Sequence, residues 1–247
     1  MSLTPPMHGC FVTGTDTDIG KTCISAALLH WCGQQGWRSA GFKPVAAGTE
    51  LIDGVRVNAD VRILRLASSL PLTDAEVGPY PFNTACAPHI AAALEGRAIE
   101  RGVILQAANH LAARADVLVV EGVGGFCVPL GPDWDTADLA ADLGLPVVLV
   151  VGLRLGCINH ALLTAEAVRA RGLRLVGWIG NAVDASMPWV DENITCLREH
   201  LWRRHQAPCL GLVPRLSATG SAFVAAHLDD AALRTVFAAS RNVSPSA

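Results

Sequence analysis

The sequence has no apolar stretch long enough to cross a membrane, although its mean hydropathy is positive. Its longest apolar run, residues 145–151, is far shorter than the roughly 20 residues of a membrane-spanning helix. Such a run is typical of a strand buried within a parallel sheet. Residues 1–9 lack the basic start and the apolar run of a secretory signal. These features predict a cytoplasmic protein that does not bind a membrane.

Basic charge is neither in excess nor clustered. The chain has 19 Lys and Arg against 22 Asp and Glu, a formal net charge of −3. A protein that binds a nucleic-acid backbone needs a basic surface to neutralise phosphates. The charge balance therefore favours a small-molecule partner over nucleic acid.

The cysteines form no C-x-x-C pair. There are eight of them: Cys10, Cys23, Cys32, Cys86, Cys127, Cys157, Cys196 and Cys209. Their wide spacing favours reduced, partly buried thiols over a disulfide framework or a zinc site.

The length of 247 residues, with 51% of them apolar, predicts one α/β domain across residues 1–247, ending in a loose tail at about 241–247. Length alone also permits two small domains. Short β-branched runs alternate with segments of helical period. The pairs are residues 9–14 with 21–35, 39–45 with 60–67, 116–121 with 136–143, and 146–152 with 159–170, and further runs follow at 175–181 and 209–214. This alternation predicts a mainly parallel, doubly wound sheet with helices on both faces.

Polar, glycine-rich segments follow four of these predicted strands, at residues 13–21, 43–48, 121–125 and 154–160. Ligands of open parallel sheets bind beyond the carboxyl ends of the strands. The sequence therefore predicts one cleft that collects all four segments.

Residues 14–22, hereafter the phosphate loop, match the pattern G-x-x-x-x-G-K-[ST] between a predicted strand and a predicted helix. The glycines allow successive backbone N–H groups to point at phosphate oxygens, beside the positive end of the helix. Lys21 is predicted to reach the β- and γ-phosphates, and the Thr22 hydroxyl to ligate Mg²⁺. The loop predicts a bound nucleotide but no particular reaction.

Three further charged residues are candidates for the same cleft. Glu121 ends an apolar run and precedes a glycine-rich segment, which favours a second ligand for Mg²⁺ over a solvated acid at the end of a strand. Asp60 is either a third ligand or an acid that interacts with a helix dipole. Lys43 either places a mobile positive charge beside the transferring phosphoryl group or covers the end of the sheet with its stem.

Four segments in order resemble the dethiobiotin synthetase family, whose fold is of the P-loop NTPase type. They are residues 11–17 running into the phosphate loop, residues 41–46, residues 119–125, and residues 150–152 with 155–160. The resemblance covers nearly the whole chain and weakens after about Pro214.

The resemblance implies an ATP-dependent, Mg²⁺-using homodimer that converts 7,8-diaminononanoate and CO₂ to dethiobiotin. One amine captures CO₂ as a carbamate, the γ-phosphoryl group moves to the carbamate oxygen, and the second amine closes the cyclic urea. The turn at residues 156–159 is then the segment that receives the substrate carboxylate at the dimer interface, because helix N–H groups suit an anion.

The resemblance also assigns individual roles. It places catalytic function on Thr15, Lys21 and Lys43, and the metal on Thr22, Asp60 and Glu121. Nucleotide contacts are assigned to Asp18, Ile19, Gly20, Lys21, Thr22, Cys23, Asp60, Glu121, Gly122, Val123, Gly124, Asn181, Pro214, Arg215 and Leu216. Substrate contacts are assigned to Thr15, Lys43, Ala47, Gly156, Cys157 and Asn159.

Several positions depart from the family pattern. Ala47 replaces a common serine, so a hydroxyl contact is either missing or supplied by another residue such as Thr49. Asp18 replaces a common glutamate, and Arg154 a common lysine, which is not an equivalent donor. The segment after Leu216 lacks the acid that some relatives offer to the ribose. The sequence leaves the preference among ATP, CTP and GTP open.

Two other classes share this style of loop. Partitioning and assembly ATPases usually carry a lysine just after the first loop glycine, where this chain has Thr15. Cobyrinate ligases of the amidotransferase type normally carry an additional glutamine-hydrolysing domain, for which 247 residues leave no room. Both observations favour the synthetase.

Overall fold

A computed structural model describes residues 7–216 and 220–241. Its strands are β1 (Gly9–Gly14), β2 (Ser39–Phe42), β3 (Val45–Ala47), β4 (Glu50–Ile52), β5 (Val55–Val57), β6 (Tyr80–Phe82), β7 (Val117–Glu121), β8 (Val147–Leu153), β9 (Leu175–Ala182) and β10 (Cys209–Val213). Its helices are α1 (Lys21–Gln34), α2 (Ala59–Ala67), α3 (Asp74–Val77), α4 (Pro88–Leu94), α5 (Arg101–Ala112), α6 (Thr136–Leu143), α7 (Cys157–Ala170), α8 (Val190–His205), α9 (Ser221–Ala225) and α10 (Asp230–Arg241).

Six strands form one sheet in the order β10-β9-β8-β1-β7-β2, and every pair within it is parallel. Helix α1 connects β1 to β2, which lies two places away in the sheet beyond β7. Helix α6 connects β7 to β8, which lies two places away in the opposite direction beyond β1. Because parallel crossovers are right-handed, these opposite directions place α1 and α6 on opposite faces. The predicted parallel sheet covered on both faces is confirmed.

The hydrophobic core lies on both faces of the central strands of the sheet. Every residue of β1, β7 and β8 is buried, as expected for apolar runs in a parallel sheet. The apolar run at residues 145–151 forms most of β8 rather than a helix. None of the helices within the described ranges has the length and apolarity needed to cross a bilayer.

The single strand predicted at residues 39–45 is wrong. β2 ends at Phe42, and Val45 begins β3, which pairs with β6 in a separate two-stranded sheet. Pro44 has no N–H to donate to a ladder, and the Lys43 N–H donates instead to the Val77 carbonyl at 2.7 Å. This break turns Lys43 out of the main sheet at its carboxyl edge.

The sequence analysis also missed the hairpin of β4 and β5, which follows β3 and is mostly exposed. All eight cysteines lie in the described part of the chain and are free thiols, with three of them buried. Helix α10 extends to Arg241, and residues 242–247 of the predicted tail lie outside the described residues.

Candidate active site

The phosphate loop joins β1 directly to α1 and curls through left-handed backbone at two positions. Gly20 has φ 89° and Asp18 has φ 57°. Aspartate tolerates this region better than most residues, which suits Asp18 where the family commonly has glutamate. Gly20 is required in addition by a close approach, since a Cβ there would lie 2.3 Å from Asn181 Nδ2.

Lys21 lies under the loop and folds back onto it. Its Nζ donates to the Asp16 carbonyl oxygen at 2.6 Å. Burial, followed by repulsion from the Lys43 ammonium, lowers the pKa of Lys21 to about 8, against the attraction of nearby carboxylates. Lys21 therefore sits ready to exchange a carbonyl partner for a phosphate oxygen.

Thr22, Asp60 and Glu121 converge from three separate elements. The Thr22 Oγ1 lies 2.8 Å from Asp60 Oδ1 and 2.8 Å from Glu121 Oε1. Its single proton can be donated to only one of these oxygens at a time. The buried Glu121 Oε2 has no hydrogen-bond partner among the described residues.

This donor set fits Mg²⁺. Mg²⁺ prefers oxygen ligands and usually takes one or two carboxylates, with water and phosphate oxygens completing its shell. The cluster offers a hydroxyl and two carboxylates, including the unpartnered Glu121 Oε2. Within residues 7–216 and 220–241, no three His, Cys, Asp or Glu residues gather as a metal cage of their own.

Lys43 is inserted between the two carboxylates. Its Nζ lies 2.6 Å from Glu121 Oε1 and 3.0 Å from Asp60 Oδ2, and it donates to the Gly122 carbonyl at 3.2 Å. The side chain is 3% exposed, so it does not merely cover the sheet end. Burial opposes its charge, but Glu121 and Asp60 outweigh burial and raise the pKa of Lys43.

Asp60 is held in place by the start of α2. The Asn58 side chain accepts from the Val61 N–H as the helix N-cap and donates to the Gly48 carbonyl at 2.7 Å. Burial raises the pKa of Asp60, but the Lys43 ammonium and the Thr22 hydroxyl reverse that effect and leave it below its usual range. Asp60 thus does more than satisfy a helix dipole.

The remaining residues that are predicted to contact the nucleotide differ in burial and in their contacts with the loop. Ile19 is buried, and its carbonyl accepts from Asn181 Nδ2 at 2.8 Å. Gly124 has φ 64°, and a Cβ there would make an ordinary contact with the loop, 3.6 Å from Thr17 Oγ1. Cys23 and Val123 are half-buried.

The segment predicted to border the base is only partly described. Pro214 and Arg215 are exposed and Leu216 is half-buried. They directly follow β10, whose neighbour β9 carries Asn181. Residues 217–219, which begin the segment that lacks an acid for the ribose, lie outside the described residues.

On the predicted substrate side, Thr15 is half-buried and its N–H donates to the Val150 carbonyl at 3.1 Å. Ala47 ends β3 and is half-buried. Thr49, the other candidate for this hydroxyl contact, donates from its Oγ1 to Asn83 Oδ1 at 2.9 Å and accepts from Arg56.

The turn before α7 presents a helix N-terminus at the same edge. Gly156 is the N-cap at φ 91° and makes no side-chain cap, and the Cys157 N–H donates to the Arg154 carbonyl at 3.0 Å. Cys157 is buried and Asn159 is exposed. The helix begins at Cys157, two residues earlier than predicted.

The sequence analysis missed one contact of this edge, the ion pair of Arg154 with Asp16. Arg154 was noted only as a replacement for lysine. The pairing joins residues 138 positions apart, and no local pattern predicts it.

A phosphate loop between the first strand and first helix of a parallel sheet, with a hydroxyl and two acids beside it, defines a P-loop nucleotide-binding fold. A family model described as an AAA domain matches residues 8–222. Among solved structures, the cell division ATPase MinD of Pyrococcus furiosus has a TM-score of 0.55 at 14% identity, covering 96% of this chain and 100% of that one. A ParA family ATPase from Chlorobium tepidum has a TM-score of 0.51 at 13% identity, with 96% and 100% covered. At such identities the likeness shows the fold alone.

Two related proteins identify the family within the P-loop nucleotide-binding proteins. The chain is 54% identical over 218 residues to the ATP-dependent dethiobiotin synthetase BioD of Aromatoleum aromaticum, covering 88% of this chain and 95% of the relative. It is 52% identical over 229 residues to the enzyme of the same name from Ralstonia nicotianae, covering 93% and 98%. The chain belongs to the ATP-dependent dethiobiotin synthetase family, as its sequence motifs predict.

Proposed function

We propose that this chain, acting as one catalytic domain, joins 7,8-diaminononanoate and CO₂ into dethiobiotin with cleavage of ATP to ADP and phosphate. The observation that carries the proposal is the position of the Lys43 ammonium, 2.6 Å from Glu121 and 3.0 Å from Asp60 beside the phosphate loop. Its support is the high identity to two synthetases over nearly their whole length.

The reaction proceeds in three bond-forming steps. One amine attacks CO₂ and loses a proton, which gives a carbamate. A carbamate oxygen attacks the γ-phosphorus and ADP leaves, which gives a carbamic-phosphoric anhydride. The second amine attacks the anhydride carbon, phosphate leaves with the carbamate oxygen, and a proton is released as the ring closes.

The chain's own residues supply position and charge for these steps. Lys21 leaves the Asp16 carbonyl and binds the β- and γ-phosphates. Lys43, held at the edge of β2, faces the carbamate and the transferring phosphoryl group. Thr15, at the carboxyl end of β1, faces the carbamate beside it.

Thr22, Asp60 and Glu121 are the residues that would hold Mg²⁺. When bound, Mg²⁺ neutralises charge on the phosphate oxygens. Asn181, with residues 214–216, borders the base. Ala47 lies on the substrate side, at the position where many family members carry a serine.

The substrate carboxylate binds at the uncapped N-terminus of α7, where Gly156, Cys157 and Asn159 lie. We place this site at the interface of a homodimer, and the protein in the cytoplasm. The exposed side chains of Leu155, just before α7, and of Leu163, within it, support a contact on this side of the molecule.

The proposal is tested by ATP turnover with each substrate omitted in turn. We expect ADP release to require both diaminononanoate and CO₂, and dethiobiotin to appear in equal amount. Rapid hydrolysis that is indifferent to the diamine would instead identify a switch ATPase of the partitioning class.

A further inference from the structure

The centre of the proposed site is electrically balanced by the chain's own side chains. Lys21 and Lys43 bring two positive charges, and Asp60 and Glu121 bring two negative ones. Lys43, which is buried, contacts both acids, Glu121 at 2.6 Å and Asp60 at 3.0 Å. A divalent ion that arrives alone therefore meets no excess of negative charge.

Lys43 also occupies two of the carboxylate oxygens that such an ion would use, Glu121 Oε1 and Asp60 Oδ2, and leaves Glu121 Oε2 unpartnered among the described residues. Glu121 Oε1, which is one of the two oxygens nearest the Thr22 hydroxyl, is the oxygen bound most closely by the Lys43 ammonium. Both groups are nearly inaccessible to solvent, with side-chain exposures of 0% and 3%. Like charges that share a buried carboxylate repel strongly, because water screens them little.

We infer that Lys43 excludes a free divalent ion from the pair of Asp60 and Glu121, so that metal enters this site only together with a nucleotide. The phosphates of the nucleotide add the negative charge that the balanced site lacks. They also give the Lys43 ammonium a second anionic partner. Lys43 thus selects the metal–nucleotide complex over either component. This inference rests on the proposed metal and nucleotide site.

Thermodynamic linkage makes this role reciprocal. If nucleotide strengthens metal binding by some factor, metal strengthens nucleotide binding by the same factor. The coupling is expected to be at least tenfold, and it should depend on the positive charge at residue 43.

The test uses Mn²⁺, which favours the same oxygen ligands as Mg²⁺ and whose free form is measured by electron paramagnetic resonance. We expect the wild-type chain to bind Mn²⁺ at least tenfold more tightly with ADP than without it, after subtraction of a protein-free Mn²⁺–ADP sample. Equal affinity in the two conditions overturns the inference. This comparison needs no variant, so it holds even if every substitution misfolds.

Variants at residue 43 then show whether the charge or the size of the Lys43 side chain excludes the ion. Lys43→Met keeps the length of the side chain and removes its charge, and it should bind Mn²⁺ without nucleotide at least tenfold more tightly than wild type does. Lys43→Arg retains the charge and should still exclude the ion. Adding Glu121→Gln to Lys43→Met should abolish the new binding, which locates the ion at the acid pair. Failure of Lys43→Met to gain affinity overturns the inference.

The experiment distinguishes this inference from the proposed function. Absence of Mn²⁺ binding even with ADP would overturn the metal site itself, and the inference with it. Tight binding by nucleotide-free wild type overturns the inference alone. Neither result depends on the diamine, whose requirement is tested separately by turnover.

Discussion

Arg154 donates a hydrogen bond to Asp16, and this ion pair joins the turn before α7 to the phosphate loop. The other carboxylate oxygen of Asp16 accepts from the Thr17 N–H at 2.8 Å, and its carbonyl accepts from Lys21 Nζ at 2.6 Å. The Thr17 N–H, and then Arg154, lower the pKa of Asp16 against the effect of its partial burial. Asp16 therefore connects the proposed carboxylate site to the phosphate-binding lysine.

Replacing Arg154 by methionine should weaken ADP binding about two- to fivefold, the range expected of a half-exposed ion pair. Arg154→Lys, which restores the common family residue, should recover most of the loss. Titration calorimetry at low and high salt measures both, and the difference from wild type should shrink as salt rises. Arg169→Met, which removes a surface pair with Glu166, is the control. An equal loss in that control would show that the effect is not specific to the phosphate loop.

Lys43→Ala should lower turnover on the order of a hundredfold while ADP affinity measured without metal changes little, because its charge acts where negative charge develops. The structure adds a second expectation. Truncation leaves Glu121 buried without its cation, which should destabilise the protein by about 3 kcal/mol. Kinetics and binding are therefore compared below the lowered unfolding temperature. Equal losses of affinity and turnover would show that Lys43 contributes to nucleotide binding and not to the chemical step.

Gly152 on β8 lies against the phosphate loop. A Cβ there would come within 2.6 Å of Ile19 Cγ2, so Gly152→Ala should destabilise the protein by about 1–3 kcal/mol and weaken nucleotide binding through displacement of the loop. Gly102→Ala is the matched control, because a Cβ in that helix meets nothing within 4 Å. It should leave binding unchanged and stabilise α5 by about 0.5–1 kcal/mol. Urea unfolding and ADP titration report both effects, and unchanged ADP affinity in Gly152→Ala would contradict the displacement.

Helix α3 begins with a capping box, in which the Thr73 hydroxyl accepts from the Glu76 N–H and the Glu76 carboxylate accepts from the Thr73 N–H. This box predicts a pH dependence of stability. The Thr73 N–H, followed by Arg114, lowers the pKa of Glu76 from 4.5 to about 2. Because the folded-state value is depressed, the stabilisation is fully present above pH 4.5 and is lost as pH falls toward 2. Glu76→Ala should therefore cost about 1 kcal/mol at pH 7.

Unfolding experiments at pH 7, 5 and 3 check this, and the gap between wild type and Glu76→Ala should narrow at pH 3. Glu199→Ala, on the exposed face of α8, serves as the control without a capping role. A gap that stays constant over this range would show that the carboxylate charge of Glu76 contributes nothing.

Local patterns identified the parts of the site that are local in the chain. The phosphate loop and its flanking strand and helix are contiguous, so spacing alone predicted Lys21 and Thr22. Asp60 and Lys43 were ambiguous, because an acid near a helix start and a lysine after a strand have ordinary structural explanations. The break at Pro44 was missed because the Lys43 N–H, just after β2, donates to the carbonyl of Val77, a residue 34 positions later.

The sequence by itself determined the class of the fold, the family and the loop that faces a triphosphate, because each is written in short-range periodicity or in ordered motifs. Only the tertiary structure decided that Lys43 lies between Asp60 and Glu121, and that Arg154 reaches Asp16. These contacts arise where separate strands of one sheet end at a common edge. Which side chains meet there depends on strand order and on burial, and neither quantity is encoded in any single segment of the chain.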